Sequence, residues 1–217
     1  MRAADDVCPT AYGSSREVLG SSTSAPATGQ ALKATTIGGY GTNNEFSYSA
    51  PEMVEGLGVT VSYTPSGTSR PDGTTSFALA YTGVEGLTVG YAQDDNGLSG
   101  TSSLETETMY AKYAFGSFTV GVQETEQEND GATTSDDEFS AFGITYQVSD
   151  DLTIGYTTSE REFGDKTQDE ESVSLNVSYT TGGMTISAAM KDAENVAHGT
   201  ASNQDFEYWT IGASFAF

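Results

Sequence analysis

From Asn44 to the end of the chain, apolar and polar residues alternate with a period of two. The last run shows it most plainly. Trp209, Ile211, Ala213, Phe215 and Phe217 are apolar, and Thr210, Gly212, Ser214 and Ala216 between them are small or polar. A period of two puts each set on one face of a β-strand. The pattern recurs as Leu57, Val59, Val61, Tyr63, then Phe77, Leu79, Tyr81, and then Leu87, Val89, Tyr91. It continues through Met109 to Phe115, Phe118 to Val122, Phe142 to Val148, Leu152 to Tyr156, Val173 to Tyr179 and Met184 to Met190. No apolar run approaches the ~18 residues of a membrane-crossing helix. The expectation is an all-β chain of about eleven antiparallel strands, with Lys33 to Tyr40 as a weak twelfth.

The runs are punctuated regularly. Tyr48, Tyr81, Tyr113, Tyr146 and Tyr179 recur about every 33 residues, each a few positions before a tight turn. The turns fall at Pro51 to Gly56, Gly83 to Gly86, Gly116, Ser149 to Asp151 and Thr181 to Gly183. Such a repeat is one hairpin plus one longer connection. The longer connections, Asp94 to Glu105, Glu124 to Asp137, Glu160 to Glu171 and Asp192 to Asp205, collect the acidic residues. Short turns at one end and long acidic loops at the other give an up-and-down meander, with residues 1–43 as a loop-like segment before strands over 44–217.

What the apolar face meets is decided by what is missing from it. It carries no charge within the alternating spans, and the two in-strand cations, Lys112 and Lys191, fall on the opposite face. A Lys turned to lipid at mid-depth costs roughly 2–4 kcal/mol, whereas a watered interior accepts it. A soluble barrel would turn the bulky residues inward and show Gly, Ser, Thr and Ala outside, where soluble proteins carry Lys and Glu. The aromatic residues form two sets: Tyr48, Tyr81, Tyr113, Tyr146 and Tyr179 near the short turns, and Tyr63, Tyr91, Tyr156 and Trp209 near the long loops. Two aromatic rings at two interfaces mark a membrane-spanning element. The fold expected is a transmembrane β-barrel in contact with outer-membrane lipid.

The same arrangement nominates a wall for the interior: Tyr110, Lys112, Gln123, Thr145, Asn176 and Lys191, with Arg16 and Lys33 added from the N-terminal segment. A net charge of −23 excludes nucleic acid as a partner, since that binding rests on basic contacts. Clustered at one mouth, the carboxylates would concentrate cations within a Debye length of about 8 Å. A weakly cation-preferring channel for small hydrophilic solutes and ions is the expectation. The alternative is a non-conducting outer-membrane or secreted β-protein with a structural or adhesive role through its acidic loops.

Catalysis and cofactors find no support. His198 is the sole histidine and has no partners at catalytic or metal-ligand spacing. Cys8 is the sole cysteine. The sequences from Asp94 to Gly97 and from Glu128 to Gly131 lack the acidic spacing of a calcium loop and read as turns. No enzyme, metal site or cofactor is expected.

The final residues resemble the C-terminal assembly signal of Gram-negative outer-membrane proteins, which places Phe215 and Phe217 in that role. The stretch from Asn43 to Leu57, with its Asn43-Asn44 pair, aromatic strand, Ala50-Pro51 pair and Gly56-Leu57, resembles the segment after the inward-folded constriction loop of general diffusion porins. Those are sixteen-stranded, trimeric barrels whose constriction opposes a basic wall to an acidic loop. The resemblance covers about residues 30–217. It implies the C-terminal two-thirds of such a porin, beginning inside the constriction loop, and a homotrimer. Met1 to Thr10 lacks the basic-then-apolar order of a signal peptide, so a mature form or a piece of a longer precursor is expected.

Overall fold

A computed structural model describes residues 45–66, 73–97, 103–130, 136–164, 168–195 and 205–216. Its strands are β1 (Phe46–Ser49), β2 (Leu57–Thr64), β3 (Thr74–Tyr81), β4 (Leu87–Gly97), β5 (Ser103–Phe115) and β6 (Phe118–Asp130), then β7 (Asp137–Gln147), β8 (Leu152–Phe163), β9 (Glu170–Thr181), β10 (Met184–Glu194) and β11 (Phe206–Phe215). All eleven lie in one sheet in sequence order, each antiparallel to its neighbours. The expected meander is therefore the observed one. Lys33 to Tyr40, Arg16, Cys8, His198 and Phe217 lie outside the described residues.

The short turns are tight because backbone bonds close them. Leu57 N–H donates to the Val54 carbonyl at 2.9 Å, and Leu87 N–H to that of Val84 at 3.0 Å. Gly86 has φ +78°, and a Cβ there would run into the Ala114 carbonyl, so glycine is required. At the other end the structure departs from the expected boundaries. The strands run on through much of the acidic sequence: β6 continues to Asp130, β8 to Phe163 and β10 to Glu194. Apolar alternation marks a strand only where one face is greasy. Beyond that depth Thr and Glu keep the ladder going with polar residues on both faces, and the register carries on unbroken.

Burial is inverted relative to a soluble protein. Thr106, Thr108, Thr125, Thr157, Ser174 and Lys191 are the largest fully buried side chains. Ile154, Leu175 and Phe215 are 45%, 50% and 59% exposed. Apolar burial among the described residues amounts to small alanines and Phe139. A single sheet that shields its polar face and leaves its apolar face open is curled with the polar side inward.

The apolar band also crosses the register obliquely. Starting from Trp209, at the acidic end of the band on β11, the row of paired residues runs Met190, Leu175, Tyr156, Ile144, Val120, Tyr113. It ends on Leu87, the first residue of β4, at the opposite end of the band. From Tyr63, at the acidic end of the band on β2, the row reaches Thr75, Asp95, Glu105 and Glu128 instead. The band thus steps by about one residue per strand, the stagger that strand tilt in a barrel imposes.

Two substitutions test this arrangement. Leu175→Arg should cost roughly 2–4 kcal/mol. Thr119→Lys, on the polar face, should stay within about 0.5 kcal/mol. Urea unfolding in lipid vesicles, followed by Trp209 fluorescence, would measure both. Gly86→Ala should cost about 1–3 kcal/mol by the same measurement, through its backbone conformation.

Candidate functional site

The polar face gathers the residues nominated for the interior. Lys112, Gly121, Gly143, Thr157, Ser174 and Lys191 form one continuous row across β5 to β10. Tyr110 and Gln123 face each other in the row on one side of it. Thr145 and Asn176 share the row on the other side, through Gly155. All six described candidates therefore lie within three adjacent rows. Gln123, Thr145, Asn176 and Lys191 are buried. Arg16 and Lys33 lie outside the described residues.

Local sequence explains how the wall fits together. Tyr110 lies over Gly90 on β4, where a Cβ would overlap its ring, so the glycine lets the ring lie flat on the wall. Hydroxyl pairs stitch neighbouring strands: Thr108 with Thr125 at 3.0 Å, and Ser159 with Ser172 at 2.9 Å. Ser76 donates to Asp94 at 2.6 Å. The Thr157 and Ser174 hydroxyls and the Lys191 Nζ, consecutive along one row, have no hydrogen-bond partner in the protein. Buried donors of this kind are usually met by ordered water or an ion.

The structure adds charged residues from the acidic stretches expected as loops. Arg161 Nη2 donates to Asp137 Oδ2 at 2.7 Å. Glu170 pairs in register with Arg161 and lies within electrostatic reach of Lys191. Asp137, Arg161, Glu170 and Lys191 thus alternate in sign on four consecutive strands. The signal for Arg161 was parity. Its odd number opposes the even-numbered Leu152, Ile154 and Tyr156, but only if the strand continues past Tyr156. Among the described residues the polar face carries Asp94, Asp137 and Glu170 against Lys112, Arg161 and Lys191, an even balance.

The exposed face holds the aromatic residues. Tyr113, Phe115, Phe118 and Tyr146 stack in a continuous run near the short turns, with ring centroids 5.5, 5.7 and 4.6 Å apart. Tyr48, Tyr179, Tyr63, Tyr156 and Trp209 are exposed as well, while Tyr81 and Tyr91 are half-buried. The Tyr91 hydroxyl donates to Glu107 at 2.8 Å. Among the described residues no group of three or more His, Cys, Asp or Glu is placed to hold a metal ion.

A family model described as Gram-negative porin matches residues 4–217. The chain belongs to the Gram-negative porin family. Its place is the bacterial outer membrane, and its sheet is that of an outer-membrane β-barrel. No curated protein matches this porin in sequence. Among solved structures it is similar to an anion-selective porin from Comamonas acidovorans, with 15% identity and a TM-score of 0.66 over 81% of this chain and 60% of that one. It is also similar to OmpT, an outer membrane protein of Vibrio cholerae, with 16% identity and a TM-score of 0.58 over 79% of this chain and 63% of that one. A trimer form of the latter matches with 17% identity and a TM-score of 0.59 over 96% of this chain and 75% of that one. The porin spans about three-fifths of the length of the first two. At these identities the likeness speaks for the fold alone.

Arg161→Met should destabilise the folded porin by roughly 1.5–3 kcal/mol, because it strips the charged partner from Asp137. A double-mutant cycle with Asp137→Asn, read by urea unfolding, should recover part of that loss if the pair is the cause.

Proposed function

We propose that this porin forms the wall of a water-filled channel through which small hydrophilic solutes and ions diffuse passively across the outer membrane. The observation that carries the reading is the inverted polarity. A shielded face of Ser, Thr, Asn, Gln and both signs of charge suits a hydrated passage, and an exposed face of Leu, Ile, Val and aromatic residues suits lipid. In this reading Lys112, Lys191, Tyr110, Gln123, Thr145 and Asn176 line the passage, and Asp94, Asp137, Arg161 and Glu170 join them. The exposed Tyr, Phe and Trp side chains rest at the two bilayer interfaces. Residues 1–43 act as the segment preceding the barrel strands.

Selectivity in such a passage follows the charges that line it. With three carboxylates and three cations on the described polar face, the wall itself favours neither sign strongly. The large acidic excess of the whole chain then tips the balance toward cations, but weakly. Like the Vibrio cholerae relative in its trimer form, the porin is proposed to assemble as three copies.

Reconstitution into planar bilayers tests the reading. Stepwise conductance is expected, with a reversal potential in a KCl gradient that slightly favours potassium. Lys112→Glu and Lys191→Glu should each move that potential further toward potassium. Absence of conductance from correctly inserted protein would refute the channel, and a reversal potential on the chloride side would refute the preference.

A further inference from the structure

The apolar surface of this sheet is short for the strands that carry it. β5 and β6 each run 13 residues, and β8 and β9 each run 12. Their outward faces are apolar over only part of that length. On β5 the apolar run goes from Met109 to Phe115, on β9 from Val173 to Tyr179, and on β6 only from Phe118 to Val122. Among the described residues no outward apolar run is longer than the seven residues of Met109 to Phe115. A strand crossing an ordinary hydrocarbon core needs about 9–11.

Both limits of the apolar face are sharp. Two residues past its last apolar side chain, the next outward residue is a carboxylate: Glu107 on β5, Glu124 on β6, Glu171 on β9, Asp192 on β10 and Glu207 on β11. An ionised side chain is expensive in hydrocarbon, so the oil ends where these begin. At the other end the turns bring exposed Glu85, Asp150 and Asp151. At about 3.4 Å per residue and a tilt of about 40°, seven residues rise only about 18 Å along the membrane normal. The apolar band of an outer-membrane barrel is ordinarily about 25 Å tall. Steeper tilt would shorten it further. The sheet itself is tall enough, since 13 residues at the same slope rise about 34 Å. The shortfall lies in which residues face outward.

We propose that the outer surface of this porin fits a hydrocarbon core of about 18 Å, so that the bilayer thins around it and lipids with short acyl chains are its preferred neighbours. A thicker core would draw the carboxylates at the rim into oil, and the membrane answers such a mismatch by deforming. The later part of β6, from Glu124 to Asp130, and the strands beside it then stand clear of hydrocarbon as a collar held rigid by the ladder. The proposal rests on the outer-membrane placement of the porin and not on its conductance.

Equilibrium urea unfolding of the full chain in large vesicles, followed by Trp209 fluorescence, tests it. Fluid phosphatidylcholines with chains of twelve, fourteen, sixteen and eighteen carbons give a series of hydrocarbon thicknesses under one headgroup. The folded-to-unfolded ratio should be highest in the twelve-carbon bilayer and at least about tenfold lower in the eighteen-carbon one. A variant carrying Glu124→Leu, Glu171→Leu and Asp192→Leu extends the apolar face by one outward residue on three strands. Its best chain length should move to fourteen or sixteen carbons. A change in general stability would instead shift every bilayer alike and leave the optimum in place. A ratio that rises with chain length, or one that stays flat across the series, would overturn the proposal from the unaltered porin alone. So would a folded variant that keeps the twelve-carbon optimum. A porin that fails to conduct would leave each of these readouts intact.

Discussion

Hydrocarbon offers no water to a backbone N–H or C=O, and each one left unpaired there costs several kcal/mol. Everything else in this porin answers to that constraint. Strands satisfy their backbone only through neighbours, so the eleven strands pair in strict sequence order. The ladder is kept regular by Gly at the tight turns and by hydroxyl side chains that bond across it without bulk. Once the backbone is satisfied by the ladder, the side chains are free to sort by face. They sort in reverse, because the solvent outside is oil.

That reversal gives the shielded face its chemistry. In a soluble core a buried lysine would be anomalous, yet Lys191 is among the most shielded side chains described. It is tolerated because it stands on a wall with Glu170 in electrostatic reach and small polar residues around it. The alternation of Asp137, Arg161, Glu170 and Lys191 spreads charge around the wall so that neighbouring strands carry opposite signs. Among the described residues the outer surface has no such balance, and its carboxylates face one another in register. One sheet therefore treats its two faces by opposite electrostatic rules, neutralised within the protein on one side and dependent on the environment on the other.

Much of this was legible in the chain. A period of two reports which residues share a face, so Tyr110, Lys112, Gln123, Thr145, Asn176 and Lys191 could be assigned to one side from parity alone. The short turns were legible because Gly and Asp mark them. The strands that run into the acidic stretches give no signal of their own, for a physical reason. Where both faces are wet, Thr and Glu form a strand with no apolar alternation to announce it, as in the later part of β6 from Glu124 to Asp130. Arg161 and Glu170 stand in such stretches, so nothing local marks their face.

Strand type, the two faces and the order of turns are written in the chain, because each is a local pattern: side chains alternate every second residue and turn residues punctuate the runs. How one strand stands against the next is set only when the strands pair. Pairing fixes a register that no single strand encodes, and that register brings Lys112 and Lys191 into one row though they lie far apart in the chain. The same register tilts the apolar band across the rows and sets glutamate opposite glutamate on the outer surface. Those relations arise from hydrogen bonds between strands, so they exist only once the sheet has formed.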